Sequence, residues 1–107
     1  MHTKPPNDPI LARFRAAVDE MYGNQLERVV LFGSRARGDA REDSDYDVAI
    51  FLKSLPDRWA ELDKLANLRV RFLDETGVFF DAKPYLATAY RERSPLMHEI
   101  RHEGITL

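Results

Sequence analysis

"LFGSRARGDAREDSDYDVAIF", residues 31–51, begins and ends in apolar runs and crowds charge between them. The run "RVVLF", 28–32, is β-branched and stops at Gly33, which reads as a strand. "YDVAIFL", 46–52, reads as a second strand, apolar on both faces in its middle, as in a sheet interior covered by helices. Between them stand Gly33-Ser34, three arginines at 35, 37 and 41, and aspartates at 39, 43, 45 and 47. The linker is about a dozen residues, short enough for an antiparallel pair.

Upstream, Pro9 suits the first turn of a helix with Asp8 as its cap, and Ile10, Leu11, Phe14, Val18 and Met21 recur at helical spacing until Gly23-Asn24. Downstream, "SLPD", 54–57, breaks the chain and opens a long helix to Thr76, which Gly77 ends. "VFFDAKPYL", 78–86, is a third strand with Pro84 near its end or at an edge. Ser94-Pro95 opens a last helix to His102. The order is α-β-β-α-β-α. Strands two and three are joined through a helix and should pair in parallel with a right-handed crossover. The expected class is α/β (α+β), a small mixed β-sheet with helices packed on it. Residues 1–8 are read as a flexible N-terminal tail and 9–107 as a single domain.

Composition narrows the function. The 107 residues are 44% hydrophobic, which suits one modest core. Sixteen Lys and Arg against 18 Asp and Glu give a net charge of -2, so stable nucleic-acid binding is not expected. The absence of cysteine excludes disulfides, a thiol nucleophile and thiolate zinc. No apolar run approaches the ~18 residues of a membrane span. A cytoplasmic protein is expected, with no membrane partner.

Asp45 and Asp47 are two apart at the mouth of a strand, so their carboxylates should stand on one face and repel. A hard divalent cation such as Mg²⁺, which combines carboxylates with substrate phosphates, resolves that repulsion. Taken alone, "DSDYD" also reads as a solvated turn. Three further features weigh against that. Gly33-Ser34 follows a strand directly, where close backbone approach and a hydroxyl suit an anion. Asp81 lies in the otherwise apolar "VFFDA", where a carboxylate without a partner is costly, and can face the same point. Of Arg35, Arg37 and Arg41, Arg35 is nearest Gly33-Ser34 and is the expected phosphate contact.

Gly33-Ser34, ten residues, then Asp45-x-Asp47 resembles the G-S-x10-D-x-D signature of the polymerase-β-type nucleotidyltransferase superfamily. The fuller string 32–50 resembles the minimal nucleotidyltransferases found beside HEPN-domain proteins, and the resemblance covers about residues 10–105. It implies transfer of a nucleotidyl group from a nucleoside triphosphate. Asp45 and Asp47 would be metal ligands, Asp81 a third ligand or general base, and Gly33 and Ser34 would hold the triphosphate. It further implies ATP as substrate, two Mg²⁺ ions, and AMP transfer to a tyrosine hydroxyl of a HEPN-type toxin, with which the chain would form a hetero-oligomer as antitoxin. Glu42 stands where Pro is expected and Tyr46 where Ile or Leu is commoner. The small size suggests that a separate protein, or a second copy of this chain in a homodimer, supplies the acceptor. The alternatives are an antitoxin that masks its toxin without chemistry, and a transferase acting on a small molecule or RNA.

Other residues read more plainly. Trp59, Leu62, Leu65, Ala66, Val70, Phe72 and Leu73 define one broad face of the long helix, and Arg69 falls inside it, either snorkelling to the rim or pairing with a carboxylate at the sheet. Lys83 shares a strand face with Asp81. His2, His98 and His102 lack a trustworthy metal spacing, and Tyr22, Tyr85 and Tyr90 read as packing residues.

Overall fold

The computed structural model describes residues 8–107, so His2 and the rest of the expected tail up to residue 7 lie outside the described residues. Asp8 caps helix α1, Pro9–Tyr22, accepting hydrogen bonds from the amides of Ile10 at 2.9 Å and Leu11 at 3.2 Å. A 3₁₀ turn, Gly23–Gln25, leads into strand β1, Leu26–Phe32. A single helical turn, α2, Ser34–Arg37, follows, and then β2, Tyr46–Leu52. Helix α3, Arg58–Thr76, is capped by the Asp57 side chain and ends at Gly77. Strand β3, Phe80–Leu86, runs through a 3₁₀ segment, Ala87–Arg91, to helix α4, Pro95–Glu103, and β4, Ile105–Thr106.

The sheet order is β3-β2-β1-β4. β1 pairs antiparallel with β2, and β2 pairs in parallel with β3 through α3, as the connections require. β2 is interior and Pro84 sits on an edge strand, where a missing donor costs least. The single turn α2, the two 3₁₀ segments and β4 are absent from the expected order, and of these β4 adds a strand to the sheet. It has two residues, too few to show a period, and is anchored by pairing to Val30 and Leu31. Gly104 makes that turn possible, because a Cβ there would collide with the Ile100 carbonyl and the Val30 side chain.

The two faces of the sheet carry different loads. One holds the main core, where Phe14 of α1 stacks on Phe80 at 4.0 Å between centroids and meets Phe72 of α3 edge-on at 5.3 Å. The other holds a smaller cluster of Val30, Ala49 and Phe51 under Met97 and Ile100 of α4. α3 buries only Leu65, Leu68 and Phe72. The broad apolar face expected for it is therefore corrected. Trp59, Val70 and Leu73 are 78%, 66% and 45% exposed, because the sheet is narrow and α3 packs along its edge strand.

Candidate functional site

Strand alternation sends Tyr46, Val48, Ile50 and Leu52 into the main core and leaves Asp47 on the opposite face, shared with α4. The parallel register sets Asp81 directly beside Asp47. Gly33 closes the arrangement from the end of β1. Its φ of 72° is left-handed, and a Cβ there would collide with the Asp47 carboxylate. Backbone and carboxylate thus touch where only glycine fits.

A cleft of about 430 Å³ opens on this face. Phe32, Gly33 and Ser34 form one wall, and Asp47, Asp81, Lys83 and Tyr85 form the floor. Arg37, Leu96 and Glu99 complete it. The size is within the range of small-molecule sites. Asp45 is exposed and does not line the cleft, but it is close enough for its charge to act on Asp47. Burial foremost, then the charges of Asp81, Asp45 and Glu99, push the Asp47 carboxyl above the usual range, while Lys83 opposes them.

Asp81 is flanked by two cations. Arg69 Nη1 lies 3.7 Å from one of its oxygens and Lys83 Nζ 4.0 Å from the other. Of the two readings of Arg69, the pairing with a carboxylate at the sheet is the one found. Arg35, the expected phosphate contact, faces elsewhere and does not line the cleft. Its guanidinium holds the carbonyls of Ser44, at 2.8 and 3.2 Å, and Glu42, at 3.1 Å, and covers the Tyr46 ring. It braces the loop that delivers Asp45. Arg37 lines the cleft instead, with Asp39 at 3.3 Å, Glu99 at 3.6 Å and Glu103 at 3.7 Å around it. Tyr46 ties this end together, since its hydroxyl donates to Asp8 at 2.7 Å and its ring stacks on Phe80.

Glu99 is the acidic neighbour the sequence reading missed. Leu96, Glu99 and Glu103 recur at i, i+3 and i+7 on α4, apart from the buried Met97 and Ile100. That second stripe was the available signal. His98 and His102 stack at 4.1 Å between ring centroids.

The donor chemistry fits a hard divalent cation: oxygen ligands of like charge, whose mutual repulsion already shows at Asp47. Among the described residues no three His, Cys, Asp or Glu side chains form a closed metal cage. An ion that shares its ligands with substrate phosphates needs no such cage.

Residues 11–105 match the family described as Nucleotidyltransferase domain. The chain belongs to that nucleotidyltransferase family. A Methanocaldococcus jannaschii protein provisionally named protein adenylyltransferase MJ0141 is 45% identical over 96 residues, which are 90% of this nucleotidyltransferase and 93% of that protein. A second protein of that organism, provisionally named protein adenylyltransferase MJ1305, is 36% identical over 70 residues, 64% of this chain and 48% of that one. The fold of the nucleotidyltransferase is that of a protein whose crystal structure is described as a toxin-antitoxin with AMP-PNP. The TM-score is 0.61 at 18% identity, over 94% of this chain and 72% of the other. A mutant of the toxin-antitoxin MntA-HpeT gives 0.60 at 16% identity, over 88% and 69%. The mixed sheet and the resemblance to a minimal nucleotidyltransferase are thus borne out. No helix among the described residues is long and apolar enough to cross a membrane.

Proposed function

We propose that this nucleotidyltransferase transfers AMP from ATP to a tyrosine hydroxyl of a HEPN-type toxin and is the antitoxin of that pair. The observation that carries the reading is the cleft itself, with Gly33-Ser34 set against the Asp47 and Asp81 carboxylates. The naming of the 45% identical relative as a protein adenylyltransferase supports the protein acceptor. The toxin-antitoxin setting of the structural neighbours supports the partner. Residues 9–107 act as one domain, in the cytoplasm and in a hetero-oligomer with the toxin.

Asp45, Asp47 and Asp81 would hold Mg²⁺, two ions in the full site, which when bound offset the charge of the triphosphate and acidify the attacking hydroxyl. The Ser34 hydroxyl and the first amides of α2, which a helix cannot satisfy internally, hold phosphate oxygens. As the tyrosine oxygen bonds to the α-phosphorus, the bond to the β-phosphate breaks and pyrophosphate leaves; Arg37 neutralises its charge, and Arg35 keeps the Asp45 loop in place. Asp81 serves as third ligand or takes the proton of the tyrosine hydroxyl. The new phosphodiester puts a charge and a bulky base on the toxin, enough to repel an anionic RNA substrate.

The test is to incubate the HEPN protein encoded beside this one with the nucleotidyltransferase, ATP and Mg²⁺, separate the two, and measure partner mass and residual ribonuclease activity. An adenylylated partner that stays inactive is expected. An unmodified partner that regains full activity on separation refutes the enzymatic reading and leaves a masking antitoxin.

A further inference from the structure

α3 carries two apolar faces, and among the described residues only one has a partner. Leu65, Leu68 and Phe72 are buried against the sheet. Trp59, Leu62, Ala66, Val70 and Leu73 recur at i, i+3, i+7, i+11 and i+14, the spacing of a second continuous stripe. Trp59, Val70 and Leu73 on it are among the large apolar side chains left exposed in the described residues. Phe79, 41% exposed and close to Arg69, extends the stripe at its C-terminal end. A lone exposed leucine needs no explanation, but a stripe along a 19-residue helix does.

Pairing along the neighbouring edge of β3 is a poor alternative. Pro84 removes a donor from that strand. Arg58 and Arg69 also reach from α3 toward Tyr85 and Asp81 on it. The helix stripe is the surface that remains open.

Charge along its two rims decides what covers it. Arg58 and Arg69 flank the stripe on the β3 side, and Asp63 and Asp74 flank it on the other. Each arginine precedes an aspartate by five residues. When two like helices pack in parallel through such a stripe, a flanking residue meets the one five positions later on its partner. Arg58 would meet Asp63 of the copy, and Arg69 would meet Asp74, each pair occurring twice by symmetry. Antiparallel packing would instead set the acidic rim against itself.

We propose that a second copy of this chain covers the stripe, with α3 parallel to its counterpart across a two-fold axis. The rims are self-complementary in that orientation, and the apolar stripe is buried between them.

Sedimentation equilibrium of the full chain across a concentration series should show a monomer–dimer equilibrium. Val70→Glu should give a monomer that melts like the wild type at concentrations low enough to dissociate the dimer, since Val70 is not a core residue, and below the wild type where the dimer is populated. The double change Asp63→Arg, Asp74→Arg should weaken association about tenfold or more, and mixing it with Arg58→Asp, Arg69→Asp chains should restore a dimer. The chain has no cysteine, so Val70→Cys introduces a single thiol. In the parallel arrangement it faces its own copy and should cross-link on oxidation. A chain that stays monomeric at every concentration overturns the proposal. So does a dimer that survives Val70→Glu, or one in which Val70→Cys fails to cross-link.

Discussion

Gly33→Ala tests the contact on which fold and site both depend. At φ 72° and ψ -157°, a region nearly confined to glycine, a non-glycine residue costs about 1–3 kcal/mol. The added methyl also collides with the Asp47 carboxylate, which must rotate away at a cost on the order of 1 kcal/mol. The sum is about 2–4 kcal/mol, a large share of the roughly 5–15 kcal/mol that holds a domain folded. For a domain this size each kcal/mol lowers Tm by roughly 4–8 °C. Gly77→Ala provides a milder reference, because Gly77 has a φ of 74° with a ψ of 4°, in the left-handed well that other residues can enter, and nothing within 4 Å of an added Cβ. It should lose less than the backbone part at Gly33. In an Asp47→Ala background, Gly33→Ala should lose only its own backbone part, which gives a coupling of about 1 kcal/mol between positions 33 and 47. Urea melts of the four chains in that cycle, with Gly77→Ala beside them, measure it. Nucleotidyl transfer by Gly33→Ala should fall on the order of a hundredfold, because the carboxylate is displaced. Zero coupling, with Gly33→Ala no worse than Gly77→Ala, would refute the reasoning.

Four other outcomes are expected. Burial and the neighbouring charges raise the Asp47 pKa above 3.8, so folding favours its protonated form; that contribution is present below 3.8 and is lost as pH rises through the folded value. Asp47→Asn should therefore melt above the wild type at neutral pH without divalent cations, with the gap closing toward acid; equal melting at neutral pH speaks against the repulsion. Phe14→Ala, which removes the ring stacked on Phe80, should cost about 3–5 kcal/mol in denaturant melts. Arg37→Ala should weaken ATP binding about tenfold by calorimetry, while Arg35→Ala should leave the cleft wall intact and loosen the 39–45 loop in hydrogen exchange.

The three longer helices and three long strands are legible because Asp8, Asp57, Ser94 and the glycines at 23, 33 and 77 punctuate periodic apolar runs. The parallel placement of Asp81 beside Asp47 follows from a strand–helix–strand connection, so the pair is legible too. What was not legible depends on packing between distant segments. Nothing local says that Arg35 turns back onto the Ser44 carbonyl while Arg37 enters the cleft. Glu99 belongs to a helix whose distance from β2 is set by Met97 and Ile100, a tertiary fact. The face of α3 was misjudged because hydrophobicity marks every apolar side chain alike, whereas burial depends on how wide the sheet beneath it is. Tyr46, a departure from the family pattern, is explained only once Asp8 and Phe80 are seen around it.

The central claim is that the carboxylate cleft moves a nucleotidyl group. The direct measurement compares ATP labelled at the α-phosphate with ATP labelled at the γ-phosphate, each incubated with Mg²⁺, this chain and its neighbouring HEPN protein. The account predicts that only the α label becomes protein-bound, on tyrosine, and that Asp45→Asn or Asp47→Asn abolishes it while the melting curve stays folded. Protein-bound γ label, or α label transferred at the wild-type rate by either variant, would contradict it.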